Sequence, residues 1–141
     1  GNIWSANSLL GMPIDEKIHD KKSKQAYLEH AALTAENIMR QFTKCKTVAN
    51  TFRFDEGPGV KYYAVLNYHN KQYVSSEFCT ATVIDKVGSG DCFMAGLIYG
   101  IHNGHEPQDI INFAAAAATG KLQETGDATQ QTIDQVKAHI N

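Results

Sequence analysis

The sequence is poor in the features that identify several classes of protein. It has three cysteines, three prolines and one tryptophan among 141 residues. The cysteines Cys45, Cys79 and Cys92 cannot all pair, and no Cys-x-x-Cys occurs, so neither a zinc knuckle nor a redox dithiol is indicated. We interpret them as reduced thiols, each a small buried side chain, in a cytoplasmic protein.

An excess of positive charge is also missing. Thirteen Lys and Arg stand against 15 Asp and Glu, which gives a formal net charge of −2, and no block of like charge stands out. We therefore expect no nucleic-acid partner and no membrane partner, because both need a surface of concentrated positive charge. The longest apolar run, residues 92–101 with two glycines, is too short to cross a bilayer, and we expect no signal peptide.

What the sequence does contain is typical of a globular chain. Hydrophobic residues make up 43% and charged residues 20%, as in folded domains. Apolar spacing predicts a helix over residues 2–10 and a long helix that Ser23 can cap. Residues 92–101 are apolar all round, which predicts a helix buried on most sides. Two more helices are expected, one opened by Pro107 and one over residues 132–140.

Three segments have the composition of β-strands. Residues 47–54 mix β-branched and aromatic side chains, and residues 62–68 and 72–76 form a predicted hairpin. A further strand is expected over residues 79–84, ending at Asp85. The order of elements predicts an α/β fold with a mostly parallel sheet and a β-hairpin. Two strands and a hairpin are few for such a sheet, so we expect the remaining strands upstream.

The turn between this last strand and the apolar helix contains the most informative residues. Gly88 and Gly90 let the backbone bend tightly and approach a ligand. The first turn of a helix has unpaired N–H groups and the positive end of the dipole, which suit phosphate. Asp91 stands at the same place, where the dipole favours its ionised form. The segment therefore combines an anion site with a candidate general base, as phosphoryl transfer to a hydroxyl requires.

Other glycine-rich motifs fit the turn poorly. It has no lysine of a Walker A loop, Phe93 stands where the dinucleotide fingerprint has its third glycine, and Val87 stands where a nucleophile elbow has glycine. A purely structural interpretation stays open, in which the glycines make a turn and Asp91 caps the helix.

The segment Asp-Lys-Val-Gly-Ser-Gly-Asp-Cys-Phe-Met-Ala-Gly at 85–96 resembles the C-terminal signature of the ribokinase/PfkB carbohydrate kinases. Within the family, the residues of this segment most resemble those of the bacterial 2-keto-3-deoxygluconate kinases. The resemblance extends from Asn2 to the end and corresponds to the C-terminal half of such a kinase. It implies part of a three-layer α/β/α ribokinase-like fold, with the lid and most of the sugar site in an absent N-terminal half.

The resemblance also implies roles for the residues of the turn. Asp91 falls on the catalytic base, which deprotonates the acceptor hydroxyl for attack on the γ-phosphate of ATP. Gly88, Ser89 and Gly90 fall on the anion hole, whose N–H groups stabilise charge on the transferred phosphoryl. Asp85 falls where many members help to bind a monovalent cation such as K⁺. ATP and Mg²⁺ are the other implied cofactors.

Further positions are implied to contact the nucleotide. Thr51 matches the first residue of the family's Thr-x-Gly, in which Arg53 replaces the glycine; that guanidinium can contact a phosphate or lie solvated at the end of a strand. Ala115 and Gly126 fall near the adenine pocket. Ala115 stands where a polar residue often recognises adenine, so recognition of the base is expected to depend on packing.

The family's Asn-x-x-Glu begins at Asn2, which is implied to contact the cofactor. Ser5 occupies the glutamate position, and that glutamate helps to organise magnesium in many members. The handling of the metal in this chain therefore stays open.

The implied function is ATP-dependent phosphorylation of a sugar acid, 2-dehydro-3-deoxy-D-gluconate, to its 6-phosphate. Another PfkB kinase acting on fructose, ribose or a nucleoside is an alternative. A non-catalytic nucleotide-binding module is a second one, which Ser5 and Arg53 fit and Asp91 does not, because a carboxylate repels phosphate. We expect the 141 residues alone to bind nucleotide weakly and to phosphorylate no sugar, and the full-length protein to form a homodimer.

Overall fold

A computed structural model describes residues 1–21 and 23–140. The elements in chain order are α1 (Ile3–Leu10), a short 3-10 helix (Ile18–Lys21), α2 (Lys24–Gln41), β1 (Thr47–Glu56), β2 (Gly59–Tyr68), β3 (Lys71–Val74), β4 (Phe78–Thr80), α3 (Ser89–His102), α4 (Pro107–Lys121) and α5 (Ile133–Ile140). The predicted α/β class is confirmed. Within the two described ranges, no helix combines the length and apolarity needed to span a bilayer.

The sheet differs from the prediction in its strand direction. The strands lie in the order β1-β2-β3, and β4 also pairs with β2, antiparallel, with Val60 opposite Thr80 and Tyr62 opposite Phe78. The expected mostly parallel sheet is therefore wrong for the described strands. Two residues separate β1 from β2 and two separate β2 from β3, whereas a parallel connection needs a crossover of a dozen or more.

The turn between β2 and β3 explains why the predicted hairpin is confirmed. Its two residues, His69 and Asn70, have φ of 48° and 57°. Positive φ at both central residues is the type I′ turn, whose twist matches that of paired antiparallel strands.

The strand predicted over residues 79–84 is mostly absent. β4 ends at Thr80, and Ala81 and Thr82 are exposed. The backbone N–H of Ile84 donates to the carbonyl oxygen of Leu122, 2.8 Å away, rather than to a neighbouring strand. β-branched residues favour a strand only when another strand supplies the ladder, and the pairing of this segment with β2 ends at Thr80.

By its internal contacts the chain divides into two compact units. The first comprises residues 1–51 and 65–73. The side chain of Asn2 caps α1 by accepting a hydrogen bond from the Ser5 N–H at 2.7 Å, and Ser23 caps α2 as predicted. One core cluster of this first unit consists of small and medium apolar side chains: Ala6, Met12, Ala35, Ile38 and Val48.

The second unit comprises residues 52–64 and those from 74 onward. Its helices α3 and α4 pack closely because small residues face each other. A Cβ at Gly96 would lie 2.7 Å from the Cα of Ala114, and one at Gly100 would lie 2.8 Å from Ile110. The alanine run over residues 114–118 is buried throughout. We therefore assign these alanines to helix packing.

One face of α3 is not covered. Met94, Ile98 and Ile101 are 50%, 60% and 53% exposed, whereas Phe93 and Leu97 of the same helix are buried. The prediction that this helix is buried on most sides is therefore wrong. A sequence that is apolar all round indicates burial only where neighbouring elements exist to cover each face.

Candidate functional site

The predicted turn is formed at the start of α3. Gly88 is the residue that precedes the helix, with φ 80° and ψ −9°, a left-handed conformation that favours glycine. A Cβ at this position would overlap the backbone carbonyl oxygen of Asp127. Gly88 is therefore required twice, by its own backbone and by the loop packed against it.

Backbone donors are available immediately after Gly88. The first intrahelical hydrogen bond of α3 runs from the Cys92 N–H to the Gly88 carbonyl at 2.9 Å. The N–H groups of Ser89, Gly90 and Asp91 precede it and have no helical acceptor. Gly90 is exposed, and apart from its chain neighbours and its own helix backbone no described atom lies within 4 Å of where its Cβ would be. We call these three N–H groups the anion cradle, since an anion can approach them over Gly90.

Asp91 lies in the first turn of α3 with its side chain exposed. The helix is capped at Gly88 without any side-chain hydrogen bond, so the interpretation of Asp91 as a helix cap is wrong. No described residue forms a hydrogen bond or ion pair with its carboxylate. The group is therefore free to accept a proton from a ligand beside the cradle.

Asp85 connects two loops of the second unit. One carboxylate oxygen accepts a hydrogen bond from the Val87 N–H and the other from the Gly126 N–H, both at 3.0 Å. These two hydrogen bonds, with a smaller effect from the charge of Lys121, lower the pKa of the Asp85 carboxyl. The carboxylate thus holds the turn before the cradle against the loop around Gly126. Its contact with K⁺ stays a prediction.

This hydrogen-bonding arrangement predicts a pH-dependent contribution to stability. We expect Asp85→Asn to lower the melting temperature at pH 7, because an amide cannot accept both N–H groups. A carboxyl with a lowered folded-state pKa stabilises the fold above its unfolded value of about 3.9, and this contribution disappears as the pH falls through the folded value. The difference from wild type in thermal melts should therefore shrink below about pH 4.

Asp20→Asn is the control for Asp85→Asn, because Asp20 is an exposed aspartate that lies outside these loops. We expect the melting temperature of Asp20→Asn to equal that of wild type at pH 7 and at pH 3. A difference between Asp85→Asn and wild type that stays constant from pH 7 to pH 3 would show that the charge of Asp85 is not what holds the loops.

The second unit also contains three of the predicted nucleotide contacts. Gly126 is exposed, has φ 82° and bonds Asp85, so it lies beside the turn. Arg53 is exposed on β1, and its charge acts on Asp55. Ala115 is fully buried in α4, so its side chain has no free surface for a nucleotide. The structure thus brings Gly126 to the site and leaves Ala115 in the core.

The other two predicted contacts, Asn2 and Thr51, belong to the first unit. The side chain of Asn2 caps α1, and the N–H of Thr51 donates to the carbonyl of Gly1 at 3.2 Å. These are local structural roles, and their contact with a nucleotide stays a prediction.

Asp85 and Asp91 supply carboxylates at the turn, but the described residues form no cluster of metal ligands there. Across residues 1–21 and 23–140, nowhere do three His, Cys, Asp or Glu side chains come together as a metal site requires. The described residues therefore offer no protein cage for Mg²⁺, which in phosphoryl transfer is often held by one or two carboxylates together with the phosphates.

Two residues beside the turn were missed by sequence reasoning. Lys121, the last residue of α4, is fully buried; its only signal is that a lysine directly follows a run of small buried residues. Asp127 packs its carbonyl against Gly88. A backbone contact across 39 residues has no signal in the sequence, so this one could not be predicted.

Comparisons with known proteins agree with one another. The sequence profile of the pfkB family carbohydrate kinases matches residues 59–134, more than half of the chain. The crystal structure of 2-dehydro-3-deoxygluconokinase from Thermotoga maritima superposes with a TM-score of 0.84 at 26% identity, over 99% of this chain and 39% of that one. A PfkB family carbohydrate kinase from Listeria grayi gives a TM-score of 0.75 at 18% identity, over 98% and 39%.

The chain thus spans about two fifths of the length of these structural relatives. A comparison with curated protein sequences finds no significant match.

Proposed function

The chain belongs to the PfkB family of carbohydrate kinases, and on this basis we propose that it is the C-terminal catalytic part of an ATP-dependent sugar kinase. One observation carries the proposal. The free carboxylate of Asp91 lies in the same helical turn as the unpaired N–H groups of the anion cradle. A proton acceptor and an anion site at one place are what transfer of a phosphoryl group to a hydroxyl needs.

Each part of the site has a defined task in this proposal. The Asp91 carboxylate accepts the proton of the acceptor hydroxyl while the hydroxyl oxygen bonds to the terminal phosphorus of ATP. The bond from that phosphorus to the bridging oxygen breaks, and ADP leaves. The cradle N–H groups donate to the oxygens of the transferred phosphoryl and stabilise the charge that develops there. Asp85 keeps the turn in place through Val87 and Gly126.

We propose 2-dehydro-3-deoxy-D-gluconate as the acceptor, phosphorylated at its 6-hydroxyl. The support is the Thermotoga maritima protein, which is a 2-dehydro-3-deoxygluconokinase and superposes over almost the whole chain. Because this chain covers 39% of that protein, the proposal places most of the sugar site outside these 141 residues. Fructose, ribose and nucleosides are the alternative acceptors within the same family.

The test is an ADP-release assay of the intact protein with ATP, Mg²⁺ and a panel of these acceptors, with and without K⁺. We expect turnover with 2-dehydro-3-deoxy-D-gluconate and a 6-phosphate product by ³¹P NMR. ATP binding without turnover on any acceptor would favour the non-catalytic module. Sugar-dependent ADP release from the 141 residues alone would contradict the placement of the sugar site.

A further inference from the structure

Lys121 is a buried cation without an anionic partner. Its side chain is fully buried at the end of α4. The ammonium donates to the backbone carbonyl of Glu124 at 3.1 Å, and no carboxylate of a described residue lies within the 4.0 Å of an ion pair. Burying an ammonium is costly unless it is paired, so its position calls for an explanation.

The packing of α3 on α4 places Lys121 near the anion cradle. Gly96 faces Ala114 and Gly100 faces Ile110, so the two helices run antiparallel. In this register, the residues at the start of α3 lie opposite the residues at the end of α4. The C-terminal turn of α4 therefore lies beside the turn that contains Ser89, Gly90 and Asp91.

The loop after Lys121 is the one that holds the turn. The Leu122 carbonyl accepts hydrogen bonds from the N–H groups of Ile84 and Asp85, at 2.8 and 3.4 Å. The Glu124 carbonyl, which the ammonium binds, is two residues before Gly126, whose N–H binds Asp85. Lys121 thus fixes the loop that Asp85 and Gly88 pack against.

The charge of Lys121 also reaches both ends of the turn. The pKa of the Asp85 carboxyl is lowered first by the hydrogen bonds from Val87 and Gly126, and further by this charge. Burial raises the pKa of the Cys92 thiol, and the same charge opposes that rise. The charge of Lys121 thus acts at both ends of the segment that contains the cradle, and the negative charges of Glu124 and Asp91 oppose it at the Cys92 end.

We propose that Lys121 is a positioning residue of the anion cradle, whose buried charge makes the cradle favour polyphosphates over ligands of lower charge. The inference rests on the proposed function, because it assigns a phosphate ligand to that site. Lys121 does not touch the ligand. It holds the 122–127 loop through Glu124 and supplies a buried positive charge, which acts on Asp85 but forms no ion pair with a described carboxylate.

The test compares two anions at defined amides. The intact protein, labelled with ¹⁵N-glycine, is titrated with inorganic phosphate and with tripolyphosphate, and the Gly88 and Gly90 signals report binding. We expect Lys121→Met to lower the affinity for tripolyphosphate by about tenfold and the affinity for phosphate by about threefold, because the Coulomb energy scales with the charge of the ligand. Lys121→Arg, which keeps the charge, should retain most of the affinity.

Lys46→Met is the matched control, since it removes an exposed ammonium from the first unit and should change neither affinity. Circular dichroism verifies folding, and Lys121→Gln replaces the Met variant if that one unfolds. An equal loss of affinity for both anions would show that Lys121 has only a structural role, and this would overturn the proposal. Unchanged affinities for both anions would overturn it as well. If the wild type shifts neither glycine signal with either anion, the proposed function itself fails.

Discussion

Turnover of the intact kinase should fall by about 10²- to 10⁴-fold in Asp91→Asn, the range that a positioned general base contributes. The amide keeps the size of the side chain but cannot accept the proton of the acceptor hydroxyl. The cradle consists of backbone N–H groups, which the substitution leaves in place, so nucleotide affinity should change little. Steady-state ADP release and an equilibrium titration with ATP separate the two effects.

Asp109→Asn is the control for this prediction. Asp109 is likewise exposed in the first turn of a helix, α4, so its loss tests for a general effect of removing an acidic residue from a helix start. We expect wild-type turnover. Equal turnover of Asp91→Asn and wild type would reject Asp91 as the base.

Gly88→Ala should destabilise the fold by about 1–3 kcal/mol, the range for a strained backbone at a residue other than glycine. Alanine at this position would have to adopt a left-handed φ, and its Cβ would overlap the Asp127 carbonyl. Relief of the overlap has to move either the turn or the 126–127 loop, so anion binding should be lost as well. Urea unfolding and the phosphate titration measure the two effects.

Gly90→Ala is the control that tests whether the contact with Asp127 causes the loss of stability. Gly90 lies two residues after Gly88 in the helix, and the space in the direction of its Cβ is open. Its stability should equal or exceed wild type by up to about 1 kcal/mol, since alanine favours a helix over glycine. If Gly88→Ala were as stable as Gly90→Ala, the contact with Asp127 would not restrain the turn.

The parts of the fold that could be predicted depend on local chemistry. Ser23 precedes an amphipathic run, and its hydroxyl accepts from the Ala26 N–H. His69 and Asn70 separate two β-rich runs by the length of a tight turn. The glycine-rich turn before α3 likewise follows from neighbouring residues. The ribokinase-like fold inferred from that turn is confirmed by the structural relatives.

The parts that failed depend on residues distant in the sequence. The strand predicted over residues 79–84 needed a partner along its whole length, and among the described strands β2 pairs with it only as far as Thr80. The exposed face of α3 is apolar, as its buried face is, so composition alone could not tell which face is exposed. The position of Lys121 beside the turn depends on the register of α3 against α4. That register is set by Gly96 and Gly100, whose partners are in another helix.

The contact between Gly96 and Ala114 has a mechanical consequence for the proposed base. No rotatable side chain lies between the two helix backbones there, so a displacement of α4 has nothing to deform before it reaches α3. The carboxylate of Asp91, five residues before Gly96, is carried along with it. A bulkier residue at position 96 would therefore shift the base relative to its substrate, even though this glycine is buried and lies five residues from the base.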